Sequence, residues 1–179
     1  MRVLYDLVIV GGGAAGLTAA LYASRSGLDC IVLDPSSPEG SSIALTDAVE
    51  NYTGFSDIAG FDLIQHFYSH AKSFGANFVR QSLVGIRKNY DGFILECSDS
   101  EVKTKSVILC MGATHKKLGI DGENKFEGRG VSYCAVCDGY FFKDKTVAVI
   151  GGGNTPPLPR RPIFLIYANG FFLFTGATH

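Results

Sequence analysis

Apolar residues in the first part of the chain follow two spacings, which predict a strand, a helix and a second strand. Buried strands are predicted at residues 5–10, which end in the apolar run Leu7–Val10, and at the largely apolar residues 28–34. Between them, residues 14–26 are rich in Ala and Leu at helical spacing, and Gly27 is placed to end that helix. The pattern therefore predicts a βαβ unit of about thirty residues.

The same two spacings continue after a polar loop at residues 35–42. A helix is predicted where apolar residues recur three and four apart: Phe61, Ile64, Phe67, Tyr68 and Ala71. Asn89-Tyr90-Asp91-Gly92 predicts a hairpin turn between strands at 82–88 and 93–97. Further strands are predicted at 76–80, 105–111, 145–150 and 163–168. The predicted class is α/β, a parallel sheet with a small antiparallel β layer.

Composition narrows the classes of protein without changing this fold. The chain has 179 residues, 46% of them hydrophobic, and a net charge of −1. Such a chain builds a core, and its charge balance argues against a nucleic-acid binder. No apolar run reaches the roughly 20 residues that span a bilayer, and the N-terminus lacks the layout of a signal peptide. We expect a cytoplasmic protein without a membrane partner.

The first candidate for chemistry is the glycine motif Gly11-x-Gly13-x-x-Gly16, which follows a predicted strand and opens a predicted helix. In such a motif the glycines allow a tight turn, a close approach of the backbone to a pyrophosphate, and close packing of helix on strand. Asp34 ends the second strand, near the spacing expected of a ribose-binding acid. The alternative is a glycine-rich turn of an ordinary α/β domain. The motif by itself leaves FAD and NAD both open.

The second candidate is the CxxC pair, Cys134 and Cys137, with Asp138 next to it as a possible proton relay. This spacing lets two sulfurs close a small redox-active disulfide. A zinc site is an alternative, but it needs about four ligands and no second CxxC is present. An inert pair is the other alternative. We predict no metal site, and we expect the other three cysteines to be small buried residues in strands: Cys30, Cys97 and Cys110.

Five segments in order carry a resemblance to a known family. They are the Gly11–Gly16 loop, residues 50–55 (ENYTGF), residues 111–113 (MGA), residues 128–139 (GRGVSYCAVCDG) and residues 147–154 (VAVIGGGN). Together they resemble the bacterial-type, low-molecular-weight thioredoxin reductases, over residues 1–154. The alkyl hydroperoxide reductase flavoproteins share the same reactive block but normally carry an N-terminal extension.

The resemblance implies a fold, cofactors and roles for individual residues. It implies that NADPH reduces FAD, FAD reduces the Cys134–Cys137 disulfide, and the dithiol reduces thioredoxin, in an enzyme that is a homodimer in the family. Cys137 would face the flavin, Cys134 would exchange with the partner, and Asp138 would be the acid–base group. The residues expected to bind FAD are Gly11, Gly13, Ala14, Ala15, Gly16, Asp34, Thr46, Asn51, Gly112 and Ala113. For Thr46 and Asn51 the alternative is plain turn capping.

The last part of the chain departs from the family pattern. Gly151-Gly152-Gly153 should open a helix that binds NADPH, but Pro156, Pro157 and Pro159 follow, and prolines inside a helix remove N–H donors. We therefore predict an FAD-binding domain at residues 1–115, the start of an NADPH-binding domain at 116–154, and an atypical tail at 155–179 that resembles a shifted reading frame. The alternative function is an inactive fragment or a non-catalytic, flavin-binding remnant.

Overall fold

The structure is a computed structural model that describes residues 4–36, 38–114, 116–127, 129–134, 138–143, 145–150 and 173–175. The chain divides into two compact units, Met1–Gly112 and Ala113–His179. The predicted strand at 163–168 lies outside the described residues. The predicted domain limits at residues 115 and 154 stay a prediction.

The first unit contains two helices and six strands in the order expected of an α/β protein. Its elements are β1 Tyr5–Val10, α1 Ala14–Arg25, β2 Cys30–Leu33, α2 Gly60–Ser73, β3 Asn77–Val79, β4 Leu83–Asn89, β5 Gly92–Cys97 and β6 Glu101–Leu109. The strands form one sheet in the order β3-β2-β1-β6-β5-β4. The first four strands of that order are parallel, and β5 and β4 are antiparallel to their neighbours. The α/β class and the hairpin are confirmed.

The core of this unit has two parts because β1 and β2 are covered on both faces. Leu7 and Ile9 of β1 pack with the small residues of α1, whereas Val8 and Val10 pack with Leu95 of β5. Neighbouring residues of a strand point to opposite faces, so one continuous apolar run supplies both parts of the core. The apolar run Leu7–Val10 is thus explained by burial on two sides.

Several predicted details differ from the structure. The strand predicted at 105–111 is Glu101–Leu109, because its first half pairs with β5 and only its second half pairs with β1. The half that pairs with β5 alternates polar and apolar residues and so lacks an apolar run. In α2 the buried residues include Leu63, while Phe61 is 47% exposed. The predicted strands at 28–34 and 145–150 are shorter, at Cys30–Leu33 and Ala148–Ile150.

The second unit has short elements around a three-stranded parallel sheet. They are α3 Glu123–Phe126, β7 Val131–Ser132, a 3-10 helix at Gly139–Phe142, β8 Ala148–Ile150 and β9 Leu173–Thr175, and the strand order is β7-β9-β8. Within the described ranges of both units, none of the helices combines the length and the apolar character that crossing a membrane requires.

Candidate functional site

The loop between β1 and α1 requires glycine at two positions for reasons of space. Gly11 has φ +102°, and a Cβ atom there would overlap the carbonyl oxygen of Cys110. A Cβ at Gly16 would overlap the carbonyl oxygen of Gly11. The Gly11 N–H donates to the Leu33 carbonyl oxygen at 2.8 Å, which ties the loop to β2. The loop is therefore closed tightly by its first and third glycines.

Gly13 plays a different part, because it stands at the open side of the loop. It is the N-cap of α1, with φ −77°, and no side chain caps the helix. A Cβ at Gly13 would have its nearest described neighbour, the Cβ of Ser41, at 3.8 Å. The first-turn N–H groups of a helix have no acceptor within the helix. Those of Ala14 and Ala15 are therefore left to bind a ligand that approaches Gly13. The loop thus fits an anionic group such as a pyrophosphate.

Asp34 is held against the glycine loop by its own carboxylate. One oxygen, Oδ2, accepts the Gly12 N–H at 2.5 Å, and Oδ1 accepts the N–H of Ser36 at 2.8 Å. Asp34 also donates its backbone N–H to the Val79 carbonyl oxygen at 3.1 Å. This residue therefore joins β2, β3 and the loop, and its role toward a ribose stays a prediction.

The other predicted cofactor residues lie in loops of the first unit or at the start of the second. Thr46 donates its hydroxyl to the Ser42 carbonyl oxygen at 3.2 Å, and its own carbonyl oxygen accepts the Gly60 N–H at 3.0 Å, so both contacts are local to this loop. Asn51 is exposed. Gly112 has φ +70°, and both it and Ala113 are exposed. Their places beside a flavin remain predictions.

The described part of the chain contains one disulfide-bonded cysteine and three free thiols. Cys134 is disulfide-bonded, while Cys30, Cys97 and Cys110 are free. Burial raises the pKa of both Cys97 and Cys110, and the charge of Asp99 adds to the rise for Cys97. The thiols of Cys97 and Cys110 are therefore poor nucleophiles.

The expectation that all three free cysteines are buried in strands is wrong for two of them. Cys30 is buried in β2, but Cys97 and Cys110 are half-buried, and Cys110 follows the end of β6. Cys137 lies outside the described residues.

Asp138 is hydrogen-bonded to the backbone of Cys134. The Asp138 N–H donates to the Cys134 carbonyl oxygen at 3.0 Å. Ser132, a residue that the sequence analysis missed, donates its hydroxyl to Asp138 Oδ2 and accepts the Cys134 N–H at 3.1 Å. The signal for Ser132 was its position two residues before a cysteine, where a serine hydroxyl reaches the backbone N–H.

A second polar group that the sequence analysis missed lies beside this segment. Glu123, only 3% exposed, accepts the N–H of Leu118 at 2.9 Å, the N–H of Gly119 at 2.7 Å and the Tyr133 hydroxyl at 2.7 Å. Burial acts to raise the pKa of Glu123, but these donors outweigh it and lower the pKa. Burial and the bond to Glu123 raise the pKa of Tyr133. No sequence pattern distinguishes this glutamate from a surface one.

The chain therefore contains both a glycine loop suited to a pyrophosphate and a disulfide-bonded cysteine whose backbone is hydrogen-bonded to Asp138. The sequence profile of the pyridine nucleotide-disulphide oxidoreductases matches residues 5–156. The chain belongs to this family. The resemblance to thioredoxin reductases is confirmed by its relatives. The thioredoxin reductase of Bacillus subtilis (strain 168) is 42% identical over 152 residues, covering 85% of this chain and 48% of the relative. That of Treponema pallidum (strain Nichols) is 44% identical over 155 residues, covering 86% and 50%.

Solved structures of pyridine nucleotide-disulphide oxidoreductases agree with this relationship. Thioredoxin reductase from Streptococcus pyogenes MGAS5005 matches with a TM-score of 0.85 and 34% identity, over 97% of this chain and 56% of that one. The enzyme from Lactococcus lactis matches with a TM-score of 0.64 and 41% identity, over 84% and 49%. The chain thus spans about half the length of the relatives it matches.

Proposed function

We propose that this chain carries the FAD-binding loop and the redox-active disulfide of a thioredoxin-disulfide reductase. The observation that carries the proposal is the disulfide at Cys134, whose backbone accepts a hydrogen bond from Asp138 at 3.0 Å. The disulfide supplies a reducible bond, and Asp138, which is hydrogen-bonded to the Cys134 backbone, supplies a group able to exchange a proton. The names of the relatives supply the partner, thioredoxin.

The glycine loop supports FAD as the cofactor of the first unit. Gly11 and Gly16 close the turn, and Gly13 leaves the start of α1 open to a pyrophosphate, as derived above. Bound FAD would supply two-electron chemistry between a reduced nicotinamide and a disulfide. Asp34 and the exposed Asn51, Gly112 and Ala113 are the further residues proposed to bind it.

The proposed roles of the reactive residues follow their chemistry. Cys134 exchanges with the disulfide of thioredoxin, Cys137 is its disulfide partner and faces the flavin, and Asp138 is the acid–base group. Cys97 and Cys110 are unsuited to this work because burial raises the pKa of both thiols and so favours their protonated form. We further propose a cytoplasmic homodimer that takes its electrons from NADPH.

A second candidate function is a flavin-binding chain without turnover, and a specific feature of the sequence favours it. Pro156 and Pro157 follow the second glycine run, at the position where a helix should offer N–H donors to NADPH. Proline has no N–H, and it is excluded from helix interiors. By this reading the 179-residue chain holds FAD weakly and does not accept electrons from NADPH.

Oxidation of NADPH in the presence of added FAD, thioredoxin and a disulfide dye distinguishes the two candidates. We expect no turnover by the 179-residue chain, because the donors for the NADPH pyrophosphate are missing. A chain whose sequence after Asn154 is replaced by that of the Bacillus subtilis relative should turn over. The control is Cys134→Ser in that extended chain, which should be inactive. Equal rates for the native and the extended chain would show that the proline-containing tail does not impair the enzyme.

A further inference from the structure

Ser132, the disulfide-bonded Cys134 and Asp138 form a closed ring of hydrogen bonds. The Cys134 N–H donates to Ser132 Oγ at 3.1 Å, the Ser132 hydroxyl donates to Asp138 Oδ2, and the Asp138 N–H donates to the Cys134 carbonyl oxygen at 3.0 Å. Each of the three residues is both a donor and an acceptor. The backbone of the cysteine and the carboxylate are thereby held in one arrangement.

Ser132 is the member of the ring that is shielded from solvent. It is 3% exposed and lies in β7, whose backbone pairs with β9. A further acceptor among the described residues, the Cys134 carbonyl oxygen, is farther away at 3.4 Å. Removing the hydroxyl would abolish both hydrogen bonds that Ser132 makes in the ring, to Asp138 Oδ2 and from the Cys134 N–H, and such losses are costly where water is excluded.

We infer that Ser132 is a positioning residue for the disulfide chemistry, which orients the Asp138 carboxylate against the Cys134 backbone and leaves Oδ1 to carry the exchangeable proton. Because the Ser132 hydroxyl donates to Oδ2, that oxygen serves as an acceptor. While Oδ2 accepts this hydrogen bond, Oδ1 is the oxygen left to exchange a proton. The inference rests on the proposed function, in which Asp138 is the acid–base group.

The reaction in which this arrangement acts can be written for any external dithiol. A thiolate of the dithiol forms a new S–S bond to one protein sulfur, the protein disulfide breaks, and its electron pair leaves on the other protein sulfur, which takes a proton. The second thiol of the reductant then closes its own disulfide and releases the first protein sulfur, which takes the second proton. Two electrons and two protons pass to the protein. Asp138 supplies a proton from Oδ1 while Ser132 holds Oδ2.

Reduction of the full 179-residue chain by dithiothreitol tests this role without FAD, NADPH or thioredoxin. The reaction is stopped by alkylation at successive times, and mass spectrometry follows the peptide that contains Cys134. We expect Asp138→Asn to slow reduction about a hundredfold, as loss of a general acid does. Ser132→Ala should slow it about tenfold, because the acid is then misplaced and not removed. The double variant should be no slower than Asp138→Asn.

Two matched variants isolate the hydroxyl group from the size of the side chain. Ser132→Thr keeps the hydroxyl and should react within about twofold of the native rate, whereas Ser132→Val has nearly the same shape and should be about tenfold slow. β-Branched residues suit this strand position, so the pair decides the matter even if Ser132→Ala fails to fold. The control is Ser98→Ala, which removes an exposed hydroxyl that donates to Asp99 Oδ2 at 3.1 Å, and which should leave the rate unchanged.

The outcomes separate this inference from the function it rests on. Native rates in Ser132→Ala and Ser132→Val, with a slow Asp138→Asn, overturn the role of Ser132 and leave the proposed function standing. Effects of Ser132→Ala and Asp138→Asn that multiply in the double variant also overturn it, because they would show a purely structural role. A native rate in Asp138→Asn overturns both the inference and the acid–base assignment.

Discussion

At the scale of single residues, the three glycines of the nucleotide loop have different duties. Gly11 and Gly16 are required because a Cβ atom at either would overlap a backbone carbonyl group. Gly13 has an ordinary φ of −77°, and a Cβ there would meet its nearest described neighbour at 3.8 Å. Gly11 and Gly16 are thus required for folding, and Gly13 only for the approach of a ligand.

Gly16→Ala should destabilise the first unit by about 3 kcal/mol, the cost of forcing extra atoms into a packed site. The new methyl group would displace the Gly11 carbonyl oxygen, which lies under the first turn of α1. The measurement is urea unfolding followed by circular dichroism. Gly13→Ala is the matched control and should stay within about 1 kcal/mol of the native chain. Equal stability of the two variants would contradict the packing argument.

Gly13→Ala should instead weaken FAD binding about tenfold, since its methyl group faces the approach of the pyrophosphate. Calorimetric titration of FAD into the extended chain, described under Proposed function, measures this effect. Ser98→Ala serves as the control because Ser98 is exposed and lies in the turn between β5 and β6. Undiminished affinity in Gly13→Ala would show that the pyrophosphate does not pass this residue.

Residues of the site could be predicted only where their signal lies in neighbouring positions. The glycine loop is one such case, because its spacing, its strand and its helix lie within about thirty residues. Glu123 is the opposite case. Its partners Leu118, Gly119 and Tyr133 are brought together by the folded loop, and nothing in the surrounding residues marks it as buried.

At the scale of elements, Glu123 connects three segments of the second unit. Its carboxylate joins α3 to the loop at Leu118 and Gly119 and to Tyr133, the residue directly before Cys134. A short helix of four residues has little stability of its own, so the contacts of its side chains hold it in place. The ionised carboxylate is the form that accepts all three donors.

The stability of the second unit should therefore fall in acid because of Glu123. Its pKa is lower in the folded chain than its ordinary value of 4.5, so the unfolded chain takes up the proton first as the pH falls. The stabilisation is complete above about pH 4.5 and is lost as the pH falls through the lower, folded-state pKa. Unfolding by urea between about pH 6 and pH 3, followed by Tyr fluorescence, measures the loss.

Glu123→Gln removes this dependence on pH, because a glutamine does not ionise. Glu39→Gln is its control, since Glu39 is exposed and its ion pair with Arg80 spans 3.8 Å at the surface. The expected result is a flatter acid limb for Glu123→Gln and an unchanged limb for Glu39→Gln. The same acid limb in all three proteins would rule out the carboxylate as the cause.

At the scale of the whole molecule, the first unit contains all the partners that its described strands require. Its six strands pair among themselves, and β6 lies between β1 and β5. The pair Tyr5 and Thr104 joins the two ends of the unit, and Thr104 is completely buried. Strand β6 is therefore the element that attaches the hairpin to the parallel strands.

A chain that ends at Gly112 should fold on its own. It retains both core clusters and every strand of the six-stranded sheet. A chain that ends at Ser100 should not fold, because it lacks β6 and leaves β1 and β5 without their shared neighbour. Dispersion of amide resonances and the cooperativity of thermal unfolding measure the difference. A disordered chain ending at Gly112 would show that the first unit depends on the second.

The sequence by itself determined the features that arise from local spacing: the βαβ unit, the glycine loop, the hairpin, and a cysteine pair followed by an aspartate. Helical and strand periods, turn residues and motif spacing all lie within a few neighbouring residues. Only the tertiary structure decided that β6 begins at Glu101, that Ser132 joins Cys134 to Asp138, and that Glu123 is buried. The start of β6 depends on which distant strands pair, whereas the contacts of Ser132 and Glu123 depend on how the loops around them fold. Burial and hydrogen bonding are properties of that folded arrangement and not of the residue type.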